Sequence, residues 1–206
     1  ENVTSWYIGG KFERRKSTDR VIKAWIKKFG NDRNHVLNTM ITNPFFSPQD
    51  NDAIFNNICG GQKYFNINRL PYVKNLSAMN DVMNSADIVL DCSLSEAWSL
   101  PSFHTVGLGK HAIIHHASAM KEWANDKNAV LIYPNGKTPA KDGVFFHEGQ
   151  PFNQGNFYNF DDNELFAAFD KVLERKKLNK VNEEGLKLRE TFTWDNTVSQ
   201  ILEVLK

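Results

Sequence analysis

Short, mostly apolar runs alternate with longer amphipathic segments along the chain, and this alternation restricts the fold more than any other feature. Trp6-Tyr7-Ile8, Val36 to Thr42, Ile88 to Cys92, Ala112 to His115 and Val130 to Tyr133 read as strands. Nearly continuous apolar strands belong to parallel sheets covered on both faces. Between them, Ser17 to Lys28 places Val21, Ile22, Trp25 and Ile26 on one helical stripe, with Ser17 or Thr18 positioned to cap. Pro48 to Cys59, closed by Gly60-Gly61, Leu76 to Asn84 and Pro101 to Leu108 read as further helices. Phe65 to Val73 reads as a strand-like segment, and a short helix is expected near Met120 to Trp123. Strand, helix and strand joined by right-handed crossovers give an α/β fold: a doubly wound, mostly parallel Rossmann-like sheet with helices on both faces.

The rhythm breaks at Gly136 to Phe160, a stretch rich in Asn, Gly and Phe that reads as a long loop insertion. Such a loop serves either as a lid over a site or as a surface excursion. Asp161 to Arg175 and Glu183 to Leu205 are then expected as helices, the second running through Thr191-Phe192-Thr193-Trp194. The 206 residues fit one domain, 1–206, with its own core. A net charge of +1, with the lysines spread along the chain, argues against nucleic acid or an anionic membrane as partner. No apolar run approaches the roughly 18 residues a membrane helix needs. Cys59 and Cys92 read as free thiols of a reducing compartment, so a cytoplasmic location is expected. No Cys/His cluster suggests a metal, and the adjacent His115 and His116 point to opposite faces of a strand.

In a doubly wound sheet, ligands sit beyond the carboxyl ends of the strands, so the loops after Ile8, Cys92 and His115 are the ones expected to carry chemistry. The first runs Gly9-Gly10-Lys11-Phe12-Glu13-Arg14-Arg15-Lys16-Ser17. Its glycines allow a tight turn, and its cations precede a helix start that itself favours anions. It is neither a Walker A loop nor a GxGxxG loop. The second carries Glu96 before Pro101, a natural first helical residue, and the amides around Ser99, Leu100 and Ser102 would leave that helix start free for a phosphate or sugar hydroxyl. His104 follows one turn into the helix. The third, Ala117 to Trp123, places Glu122 near the same end of the sheet.

These stretches together resemble the carboxy-terminal, donor-binding domain of GT-B glycosyltransferases of the large retaining family that uses nucleotide sugars. Gly10-Lys11 and Lys16-Ser17 stand where that family has a glycine-arginine pair and a lysine-glycine pair. Glu96, Ala97-Trp98-Ser99-Leu100-Pro101 and His104 match its glutamate, its Gly-Phe-Gly-Leu-Pro loop and a second glutamate eight positions on. Asn84 to Ser93, Gly107, Gly109-Lys110, Glu122 and the Phe192-x-Trp194 ending continue the pattern. The likeness spans Trp6 to Leu205 apart from Gly136 to Phe160.

The resemblance implies a metal-independent enzyme without a cofactor, whose nucleotide sugar is a substrate. Lys11 and Lys16 would bind the diphosphate and stabilise charge on the departing nucleotide. Glu96 would hold donor-sugar hydroxyls. Gly10, Trp98, Ser99, Leu100, His104 and Glu122 would complete the donor site, with His104 a weaker hydroxyl acceptor than a carboxylate. The acceptor, whether glycan, lipid or protein, would be held by an amino-terminal domain absent from this chain, leaving the chain alone inactive or weakly active. The alternative is a degenerate domain of the same fold, a binding or interaction module without transferase activity. Two other readings carry less. A receiver-type regulatory domain needs an acidic cluster after its first strand, where Gly-Gly-Lys-Phe stands. A sugar-nucleotide epimerase or glycan phosphorylase shares the architecture, but no lysine is marked for a Schiff base.

Overall fold

A computed structural model describes residues 3–142, 146–152 and 155–206. Six parallel strands form the central sheet: β1 (Thr4–Gly10), β2 (His35–Ile41), β3 (Ile67–Arg69), β4 (Ile88–Asp91), β5 (His111–His115) and β6 (Val130–Ile132). Their order is β3-β2-β1-β4-β5-β6, the doubly wound arrangement, with the chain reversing direction across the sheet between β1 and β4. Tyr7 pairs with Asn38 on one side and Val89 on the other, so β1 is bonded along both edges.

Alternation along β1 divides the core. Trp6 and Ile8 face a layer covered by α1 (Thr18–Phe29), α2 (Pro48–Ile58) and α5 (Asp162–Leu178), whereas Tyr7 faces a layer covered by α3 (Leu76–Asn84) and α4 (Leu100–Gly107). The first layer centres on Trp6, Trp25, Phe29 and Phe169. The Trp6 ring lies 5.2 Å from Phe29 and 5.6 Å from Phe169, in tilted and edge-on contacts. These aromatics explain why α1 keeps its apolar stripe: Val21, Ile22 and Trp25 are wholly buried.

Three sequence expectations change. Phe65 to Val73 pairs only over Ile67–Arg69, an edge strand cut short by Pro71, which cannot donate to the ladder. Glu183 to Leu205 is not one helix but three: α6 (Glu183–Leu186), α7 (Leu188–Thr191) and α8 (Trp194–Val204). Thr193 ends the run because its side chain accepts from the Asn196 N–H at 3.1 Å and starts a new helix. The expected long loop carries a second sheet, an antiparallel ribbon of β7 (Gly136–Pro139) and β8 (Asn156–Asn159). The ribbon is tied to the loop after β4, since the Tyr158 N–H donates to the Leu94 carbonyl at 2.9 Å.

Candidate functional site

The sharpest convergence of charge lies at the carboxyl ends of β1 and β4. Gly10 closes β1 with φ of 138°, in a region that favours glycine, and a Cβ there would sit 3.5 Å from the stem of Lys16. The chain then makes a short 3-10 turn (Arg14–Lys16) before α1, which sends Arg15 and Lys16 toward the loop after β4. Lys16 Nζ forms an ion pair with Glu96 Oε1. Arg15 Nη1 donates to the same oxygen at 2.6 Å and to the Ser95 carbonyl at 2.9 Å, while its Nη2 pairs with Glu13 at 2.6 Å. Glu96 is only 10% exposed, so these contacts lie in a partly desolvated place where charge pairing counts for more than at a free surface.

Beside this network opens a cleft of about 440 Å³, lined by Lys11, Glu13, Arg15, Ser95, Glu96, Ala97, Asp142 and Phe146. Lys11 lies 5.5 Å from the Phe45 ring centroid at its rim. Asp142 and Phe146 come from the segment between β7 and β8, so the connection of the ribbon's two strands borders the cleft.

The loop itself is fixed from below. Asp91 ends β4 in a buried position and accepts from the Ser93 and Ser102 hydroxyls, both at 2.6 Å, and from the Ser99 hydroxyl. Burial would push its carboxyl up, but the Lys16 ammonium and the bonds from Ser102, Ser93 and Ser99 outweigh that and hold it below the ordinary aspartate value. Two braces come from the segment after β5. The Ser118 hydroxyl accepts from the Glu96 N–H at 2.8 Å, and the Trp123 indole donates to the Trp98 carbonyl at 2.9 Å. His115, at the end of β5, reaches the Ser93 carbonyl through Nδ1 at 2.9 Å, and its Nε2 is buried without a partner. Burial first, and Arg20 with it, lower its pKa; the Ser93 carbonyl, Asp91 and Glu164 pull the other way and are outweighed.

Of the residues singled out from sequence, Lys11 and Glu96 line the cleft, Lys16 joins it by pairing with Glu96, and Gly10 lies against the Lys16 stem. Leu100 begins α4 and is exposed. The side chains of Trp98 and Ser99 turn elsewhere. The Trp98 ring packs 5.7 Å from Phe103 and 5.3 Å from Phe192, and the Ser99 hydroxyl is spent on Asp91. What they can offer a ligand is therefore backbone. His104 does not share the cleft: it lines an apolar groove with Met79, Phe103, Leu188 and Phe192 between α3, α4 and α7. Glu122 is exposed at the end of a 3-10 turn (Ser118–Glu122) that is anchored by the buried Met120. Sequence reasoning named Ser99 and Ser102 for their amides but missed Asp91 as the buried acceptor of the Ser93, Ser99 and Ser102 hydroxyls. The available signal was an acid closing an apolar strand with Ser93, Ser99 and Ser102 following, since a buried carboxylate must find donors. Among the described residues no three His, Cys, Asp or Glu side chains are grouped to hold a metal ion, and no helix is long and apolar enough to cross a membrane.

No family model matches the sequence, and no curated protein matches it significantly. Solved structures do match. The carboxy-terminal domain of a glycosyl transferase group 1 family protein, LpcC from Francisella tularensis, aligns over 91% of this chain and 85% of its own, with TM-score 0.64 and 18% identity. Sucrose-phosphate synthase from Thermosynechococcus elongatus aligns over 98% of this chain and 45% of its own, with TM-score 0.71 and 13% identity. The Anabaena protein HepE, solved in complex with UDP-glucose, aligns over 99% of this chain and 49% of its own, with TM-score 0.67 and 14% identity. The chain thus spans about half the length of the last two, and its fold is that of GT-B carboxy-terminal domains.

Proposed function

We propose that this domain is the donor-binding half of a retaining glycosyltransferase, which transfers a sugar from a nucleotide sugar to an acceptor. The observation that carries the reading is the Lys16–Glu96 pair, set between the carboxyl ends of β1 and β4 and beside the start of α4. Without ligand, the two side chains satisfy each other. A diphosphate takes Lys16 and, from the cleft wall, Lys11; Glu96 is then released to accept hydrogen bonds from sugar hydroxyls. The first amides of α4 have no intrahelical partners and add a partial positive charge to the same place. As the bond to the sugar breaks, negative charge grows on the departing diphosphate, and preformed lysines and amides stabilise it without reorganising. The acceptor then takes the face the nucleotide leaves.

An acceptor-binding domain completes this enzyme, and the face of α8 supports such a partner. Trp194, Val198, Ile201 and Leu202 are exposed there. The second reading is a module that binds without transferring. One observation favours it: His104 lines the apolar groove rather than the charged cleft.

Calorimetric titration with UDP, GDP and ADP, and with their glucose or mannose conjugates, tests the proposal. One nucleotide is expected to bind, with Lys16→Ala weakening it by at least about tenfold, the scale of a lost charge-assisted contact. Glu96→Ala is expected to weaken the sugar conjugate more than the free diphosphate. A folded protein that binds none of them would end the donor-domain reading. Binding of a sugar nucleotide with no turnover after an acceptor domain is supplied would favour the module.

A further inference from the structure

Ser99 stands where the loop after β4 becomes α4, with φ of 58° and ψ of 64°. Left-handed backbone crowds a Cβ against the following carbonyl, so glycine is the usual residue at such a turn. Ser99 makes no side-chain cap to its helix; its hydroxyl points inward to Asp91 Oδ2. Asp91 is a costly residue to bury, because a carboxylate removed from water must be fully hydrogen-bonded. It accepts from the Ser93 N–H at 3.1 Å as well as from the three serine hydroxyls. Holding β4 in the sheet needs none of this, since the ladder uses backbone alone and β4 is otherwise apolar. All four of these donors come from the loop and the helix start rather than from the strand, which ends at Asp91 itself.

We infer that Asp91 is a positioning residue: by anchoring the Ser99 hydroxyl it holds Ser99 in left-handed backbone, and so fixes the start of α4 at the edge of the charged cleft. The inference rests on the donor-site reading above for its functional consequence. Asp91 itself lies buried beneath the loop, its carboxylate taken up by the serines. The carboxylate does for a serine what the missing Cβ does for a glycine.

The test separates anchoring from general stability. Ser99→Ala keeps the Cβ and removes only the anchor, leaving Asp91 bonded to Ser93 and Ser102, so the protein folds. Its affinity for UDP, or for whichever nucleoside diphosphate the wild type binds, is expected to fall by about tenfold. Asp91→Ala is expected to lose at least as much. The double variant Asp91→Ala/Ser99→Gly is expected to return to within about threefold of wild type, because glycine needs no anchor there. Hydrogen exchange gives a readout independent of ligand. The Phe103 N–H, bonded to the Ser99 carbonyl at 3.0 Å, should exchange slowly in wild type, fast in Ser99→Ala and slowly again in the double variant. A double variant no better than Asp91→Ala in both readouts, or a Ser99→Ala protein like wild type in both, overturns the inference. If the wild type binds no nucleotide, the donor reading fails, and the exchange pattern alone decides the positioning role.

Discussion

The loop after β4 and the helix α8 meet solvent in opposite ways. Residues 91–102 include an aspartate, a glutamate and four serines, the composition of a hydrated turn, yet Asp91, Ser93, Ser99 and Ser102 are all buried. α8 carries Trp194, Val198, Ile201 and Leu202, the composition of a core helix, yet has no buried residue. Composition therefore misleads in both places, and for one reason. Polar groups go inside where a network satisfies every donor and acceptor, and apolar groups stay outside where nothing in the same domain covers them.

Breaking the loop network should hurt far more than altering α8. The largest expected effect is that of Ser93→Ala, which removes one hydroxyl from a buried carboxylate and should cost about 1.5–3 kcal/mol in urea unfolding. A cost near zero would mean that Asp91 is satisfied without it. Gly9→Ala comes next. A Cβ there would sit 2.5 Å from the buried Tyr7 hydroxyl, and the crowding should cost about 1–3 kcal/mol. Acid comes third, by the sign of the histidine shifts. His35, His111 and His115 are held below 6.5, in each case by burial first, so the unfolded chain takes up protons before the folded one. Stability is then full above the unfolded value of 6.5 and falls as pH drops below it. Asp91, held below 3.8, adds its own loss only at lower pH. Urea midpoints taken across this range should show the decline, and His115→Asn should flatten part of it. Midpoints that rise toward pH 5 would contradict these assignments. Smallest is Ile201→Asp on α8, expected to change stability by less than about 0.5 kcal/mol in this chain. A loss of 2 kcal/mol or more, on the scale of a buried aliphatic side chain, would show that the face is covered after all.

How much of this was readable beforehand depended on whether the signal was local. The sheet was: Ile88 to Cys92 and Ala112 to His115 are apolar enough to be strands buried on both faces, and both are. The pairing of Lys16 with Glu96 was accessible only through spacing and topology, since 80 residues separate them and only the winding of the sheet joins their loops. Arg15 stood in plain view among the cations, but nothing local told it from Arg14, which lies over the Phe157 ring instead. The β7–β8 ribbon was hidden because its strands are only four residues long and lack a continuous apolar run, and one of its anchors is a backbone bond to Leu94. The Ser99 turn was hidden for a different reason. Serine is not a residue one expects in left-handed backbone, and the carboxylate that permits it lies eight positions earlier in another element.

β1 comes first along the chain among the strands and occupies the middle of the sheet. One of its edges is filled by β2, but the other must wait for β4, and the Ser5 N–H bonds to an Asp87 side chain 82 residues further on. Closing so long a span exacts its entropy before any contact rewards it. During synthesis, the central strand is therefore made well before the strand that completes it. For the interval in which roughly 80 residues are being added, its open edge is free to pair with another chain, and a chaperone or simple dilution would protect it.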